Sequence, residues 1–182
     1  MISVIQIIAR HTERLHEGAD FLSVFTKRLA SLMSNQDILI TGQGESADLE
    51  LLARAQFAHL IDPTDPQVTI SGPVVKLNQE VSRAVGMALF ELVTNAAKYG
   101  ALSQASGAVK LSWVITDGIS PNIEISWVES DGPPVTAPTR KGFGSQVTGP
   151  ILEGITSGRT SCDYSEKGFR WTLNAAFDQL TE

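Results

Sequence analysis

The sequence is poor in cysteine, in basic charge and in long apolar runs, and each shortage removes a class of protein. One cysteine in 182 residues excludes a disulfide framework and a cysteine-based zinc site. No stretch approaches the ~18 apolar residues of a membrane span. The opening MISVIQIIARHTERL lacks the basic n-region and the small-residue cleavage site of a secretory signal. Lys and Arg number 14 against 20 Asp and Glu, a net charge of −6. A general nucleic-acid binder or an anionic-membrane binder carries the opposite balance. These absences point to a cytoplasmic globular chain with no nucleic-acid partner and no membrane contact.

What is present divides into two textures. Ile2, Ile5, Ile8, Ala9, Thr12 and Leu15 repeat at helical spacing, beginning at Met1 without a cap, as a chain starting mid-helix would. Asp20 is placed to cap a second helix bearing Leu22, Phe25, Leu29 and Leu32, whose 3-4-3 spacing suits a paired-helix seam. Ser46 is placed to cap a third helix with Leu49, Leu52, Ala53, Phe57 and Leu60. The segment Asp62–Pro66, with two prolines, then breaks the pattern. The expected organisation is a helical hairpin over residues 1–62 and a second domain over 63–182.

The second domain mixes periods. Strands are expected at Val68–Ser71 and Val74–Leu77, followed by a long helix capped by Asn78 and ending before Gly100. Val109, Leu111, Trp113 and Ile115, then Ile123, Ile125 and Trp127, alternate as in a hairpin. Ser130–Gly144 is rich in glycine and proline and reads as a loop. A short helix is expected over Ser145–Thr156, and a last hairpin from Thr160–Tyr164 and Phe169–Phe177 around Gly168. Without regular crossover helices the class is α+β: a two-layer α/β sandwich with a mixed, mostly antiparallel sheet.

Three places carry chemistry. Glu91, Asn95 and Lys98 share one helix face at i, i+4, i+7. A carboxamide oxygen suits Mg²⁺, an ammonium meets phosphate, and a carboxylate accepts a proton. The same spacing describes an ordinary solvated helix face. Lys141-Gly142-Phe143-Gly144-Ser145 lets backbone approach a phosphate, or is a plain turn with Ser145 as a cap. Glu129 and Asp131 end a strand where a carboxylate can meet a base's exocyclic amine, or where Asp-Gly merely turns the chain. Cys162 reads as a buried, reduced core residue. His11 and His16 read as exposed, His59 as structural, and Trp113, Trp127 and Trp171 as sheet packing.

In order, ELVTNAAKYGALS, WVESDGPPV, RKGFGS and GFRWTL resemble the ATP-binding domain shared by sensor histidine kinases, type II topoisomerases, Hsp90 and MutL. The nearest resemblance is to HWE-type sensor histidine kinases of bacterial two-component systems. VIQIIARHT and FTKRLASL resemble their dimerisation and phosphotransfer helices.

The resemblance implies Mg²⁺ held by Asn95, Glu91 assisting attack on the γ-phosphate, and Lys98 on phosphate. It implies Glu129 or Asp131 on adenine, with Tyr99, Gly132, Arg140 and Thr172 also at the nucleotide. Gly142, Phe143 and Gly144 would form the loop over the phosphates, with Ser145 starting the helix behind it. ATP and Mg²⁺ are the implied ligands, and a response-regulator receiver domain and a second copy the implied partners.

Two positions depart from the family pattern. Phe90 stands where a histidine is expected, and Asp131 where glycine is usual. The phosphoacceptor histidine would fall just ahead of Met1. The sequence therefore leaves a non-catalytic phosphotransfer or scaffold protein as an alternative to a kinase. An anti-sigma-type serine kinase is a third reading, which accounts less well for the N-terminal hairpin.

Overall fold

The computed structural model describes residues 46–138 and 142–181. The first two expected helices, with His11 and His16, lie outside this range, as do Arg140 and Lys141.

β1 (Ser46–Asp48) leads directly into α1 (Leu49–Ala58). The cap is Asp48, not Ser46: its carboxylate accepts the N–H groups of Glu50 and Leu51 at 2.9 and 3.1 Å. A carboxylate suits this place because it meets both the free N–H groups and the positive end of the helix dipole. β2 (Val68–Ser71) and β3 (Lys76–Asn78) follow. The second expected strand thus begins two residues later than the sequence suggests, since Val74 is left exposed.

Asn78 caps α2 (Gln79–Lys98) through the N–H of Val81, 3.0 Å away. The expected stripe of Val81, Val85, Leu89, Leu92, Val93 and Ala96 is buried. β4 (Ala108–Ile115) and β5 (Asn122–Ser130) form the expected hairpin. Two short helical pieces come next, α3 (Phe143–Gln146) and α4 (Leu152–Thr156), joined by a wide turn kinked at Gly149 ahead of Pro150. β6 (Arg159–Ser165) and β7 (Gly168–Ala176) make the last hairpin, and α5 (Phe177–Thr181) ends the described chain.

The strands run in the order β2-β4-β5-β7-β6, with β2–β4 parallel and the other pairs antiparallel. β1 and β3 form a separate antiparallel pair. Helices cover one face of the large sheet, giving the expected α+β sandwich. Its core holds Trp113, Trp127 and Trp171. Each indole N–H finds an acceptor, as burial of that group requires: Pro73 O at 2.7 Å, Glu129 Oε1 at 3.0 Å and Thr148 O at 2.8 Å.

α1 belongs to this same core. Leu49, Leu52 and Phe57 are fully buried, and the Phe57 ring stacks on Trp127 with centroids 5.5 Å apart. The division expected between Asp62 and Pro63 therefore passes through one continuous core, which runs from Leu49 to Leu180. Apolar spacing shows that a helix buries a face; it does not say against which element. His59 is exposed and meets Phe90 edge to face, centroids 6.0 Å apart. Among the described residues no helix is long and apolar enough to cross a membrane.

Candidate functional site

α2 supplies the first wall. Its Glu91 is buried to 8% exposure, whereas Asn95, one turn on, is exposed. Gly144 of α3 comes up against both. A Cβ built there would lie 3.0 Å from Glu91 Oε2 and 3.8 Å from Asn95 Nδ2. Two expected elements distant in sequence are thus brought together, and glycine at 144 is what permits the approach. Ser145 does not cap α3. The helix already begins at Phe143, and the Ser145 hydroxyl donates back to Gly142 O at 2.7 Å.

Two cavities meet at this wall. One of about 340 Å³ is lined by Glu91, Asn95, Gly142, Phe143, Gly144 and Ser145, with Cys162 beside them. The other, of about 490 Å³, is lined by Asn95, Tyr99, Gly100, Glu129, Pro134 and Val135. Asn95, Pro138, Tyr164 and Phe169 line both, so the two form one cleft with a compartment at Glu91 and a compartment at Glu129. No Lys or Arg among the described residues lines either.

Glu129 is 5% exposed and bonded at both oxygens. Oε2 accepts the Ala101 amide at 2.8 Å and Oε1 the Trp127 indole at 3.0 Å. Each oxygen keeps a second lone pair, so the carboxylate is held rigid by its own fold and can still accept from a ligand. Asp131 is elsewhere: it is exposed, in the left-handed region at φ 54°, with its carbonyl accepting from Ser106 Oγ at 3.1 Å. That backbone conformation favours glycine, and Asp is among the few other residues that tolerate it. Gly132 next to it packs against Ala101.

Lys98 lies exposed in the last turn of α2 and lines neither compartment. Thr172 is also away from the cleft. It alternates with the buried Trp171 and Leu173, so it points to the open sheet face, where its hydroxyl meets that of Ser161 at 2.7 Å. Tyr99 is 73% exposed at the rim of the larger compartment.

Tyr164 and Phe169 line the cleft although they lie outside the motifs of the sequence. They pair across β6 and β7 with ring centroids 4.9 Å apart. The signal was the hairpin itself: residues directly opposite in antiparallel strands share a face, here the face of Trp171. Cys162, opposite Trp171, is not a core residue as expected but an exposed residue of the edge strand. Enough protein surrounds its sulfur that burial pushes the thiol pKa up. Burial, and secondarily the neighbouring Cys162, raises that of Tyr164 as well.

The chain resembles proteins of one kind. Residues 1–74 match the family model of the HWE histidine kinases. A blue-light-activated histidine kinase of Brucella ovis is 28% identical over 169 residues, covering 92% of this chain and 35% of the relative. Its counterpart in Brucella anthropi is 30% identical over 164 residues, covering 89% and 33%. The chain thus spans about a third of the length of the curated relatives it matches.

Solved structures share the fold. One is the histidine kinase domain of the Erythrobacter litoralis EL346 blue-light activated histidine kinase, with TM-score 0.65, 14% identity and coverage of 98% and 84%. Another is the catalytic domain of histidine kinase ThkA, with TM-score 0.54, 16% identity and coverage of 75% and 97%. The chain is therefore similar to the HWE histidine kinases, matching their family model over residues 1–74, and it shares the fold of solved histidine kinase catalytic domains.

Proposed function

We propose that the described unit binds Mg-ATP and serves as the catalytic part of a bacterial sensor histidine kinase. The observation that carries this is the meeting of Glu91, Asn95 and Gly144 at one end of a two-compartment cleft. The end lined by Glu129 suits a base, and its buried carboxylate rewards a ligand that donates a hydrogen bond. The compartment at Glu91, Asn95 and Gly144 would take the phosphates together with a cation that offsets their charge against Glu91.

The donor set there fits Mg²⁺ of a particular kind. Among the described residues no three His, Cys, Asp or Glu side chains gather as a cage. One carboxamide oxygen beside one carboxylate suits an ion that keeps its waters and rides on substrate phosphates. Asn95 would hold that ion, which when bound neutralises charge developing on the γ-phosphate. Glu91, one helical turn away and buried, orients or deprotonates the attacking group. Phosphoryl transfer asks mainly for positioning and charge neutralisation, so this short roster suffices.

The acceptor we propose is a histidine of a kinase helical hairpin, with relay to the aspartate of a response-regulator receiver domain and dimerisation through the N-terminal helices. Residues 46–62 belong with the nucleotide-binding unit in this reading, because α1 packs on Trp127.

The test is a calorimetric titration of ATP with and without Mg²⁺ into the full chain and into Asn95→Ala. Mg²⁺-dependent binding that Asn95→Ala loses is expected, and the absence of such binding in the parent overturns the proposal. Labelled ATP should also yield acid-labile phosphate on a histidine kinase hairpin supplied in trans. Mg-ATP binding without any such transfer favours the scaffold alternative.

A further inference from the structure

Tyr164 and Phe169 sit where the two compartments join. They line both, together with Asn95 and Pro138. In a nucleoside triphosphate that spans the cleft, base at Glu129 and phosphates at Gly144, the part between base and phosphates is the sugar.

The pair is also held in register with the base compartment. The β6–β7 turn closes at Gly168, whose φ of 126° is open to few residues besides glycine. A Cβ at Gly168 would collide with the carbonyl oxygen of Glu129, so the turn is seated against the end of β5. Ser165 Oγ donates to Gly168 O at 3.1 Å and tightens it. Phe169 follows Gly168 directly and Tyr164 faces it across the ladder. The rings are therefore placed by the same residue whose side chain forms the floor of the base compartment.

Of the four shared residues, Tyr164 is the one with a hydroxyl. That hydroxyl makes no hydrogen bond to a described residue, and the ring is 38% exposed. At physiological pH a phenol is a neutral donor and acceptor.

We infer that the Tyr164–Phe169 pair is the sugar-reading wall of the cleft, Phe169 packing against the ribose and Tyr164 hydrogen-bonding one of its hydroxyls, so that the site selects ribonucleoside over deoxyribonucleoside triphosphates. This rests on the Mg-ATP reading above and adds a residue-level selectivity to it.

The experiment measures Mg²⁺-dependent binding of ATP, 2′-deoxy-ATP and 3′-deoxy-ATP to the full chain, to Tyr164→Phe and to Phe169→Leu. The parent should prefer ATP over one deoxy analogue by roughly three- to tenfold, the range of one net hydrogen bond. Tyr164→Phe should abolish that preference by weakening ATP to the level of the analogue, with its melting temperature unchanged. Phe169→Leu should weaken all three nucleotides alike. A parent that binds ATP but keeps the same preference in Tyr164→Phe, or shows none, overturns the sugar-reading assignment and leaves the Mg-ATP reading standing. A parent that binds no nucleotide overturns both.

Discussion

Gly144 faces Glu91 so closely that one added methyl group would stand 3.0 Å from the carboxylate oxygen. The neighbour is the far end of a side chain, so it can move aside. Alanine is also the better helix former by about 1 kcal/mol. Gly144→Ala should accordingly leave unfolding stability within about 1 kcal/mol of the parent, while a displaced Glu91 lowers phosphoryl transfer about tenfold or more. Urea unfolding and transfer of labelled phosphate, run on the same preparation, check the two halves. Lost stability with intact transfer would contradict the assignment.

Glu129 is expected to behave in the reverse way. Its two oxygens satisfy the buried Ala101 amide and the Trp127 indole at 2.8 and 3.0 Å. In Glu129→Gln one of these donors meets an NH₂ group, leaving it without an acceptor, and the other loses a charged partner. Bonds to charged groups contribute about 1.5–3 kcal/mol each, so the loss of stability should be about 3 kcal/mol. A variant as stable as the parent in urea unfolding would show that the carboxylate has no structural part.

Much of this was legible in the sequence. The α2 stripe and its Asn78 cap, and the alternation of β4 and β5, follow from period and cap chemistry alone, because both are local. What escaped was relational. Nothing in the spacing of α1 shows that Phe57 stacks on a tryptophan 70 residues later. Glu129 reads as a free acid until the chain is folded and Ala101 is found donating to it. Tyr164 and Phe169 look like ordinary strand residues, and only the register of their hairpin turns both rings into the cleft. Residue type alone reads Cys162 as a core residue, whereas its position on an edge strand decides its exposure.

That single cysteine is a native reporter of the compartment at Glu91 and Asn95, which it lines. Burial raises its thiol pKa, and the thiolate is the reactive form. Maleimide labelling should therefore be slow at neutral pH and rise about tenfold per pH unit, without levelling off below the ordinary thiol value. Saturating Mg-ATP should slow it several-fold at any one pH. Equal rates with and without nucleotide, followed by intact-mass spectrometry, would place the ligand elsewhere.

Acid sensitivity has an identifiable contributor in Glu153 of α4. Its Oε1 accepts both the N–H and the hydroxyl of Thr160, at 2.7 and 2.8 Å, and these bonds hold its pKa below the ordinary glutamate value. A depressed folded value means the contribution is complete above the unfolded pKa and lost as pH falls towards and through the folded one. Glu153→Gln, which does not titrate, should show a shallower decline of melting temperature across that acidic window. Parallel curves for parent and variant would remove Glu153 from the account.

β1 has a consequence for how a phosphoryl group could be delivered. Ser46 pairs with Asn78, the residue that opens α2. Asn95 lies between four and five helical turns further on, about 25 Å along the axis at 1.5 Å per residue. The polypeptide thus joins this unit at the opposite end of α2 from the phosphate compartment. In the phosphotransfer reading proposed above, a histidine ahead of Ser46 would have to reach the Glu91 compartment from the far end of α2.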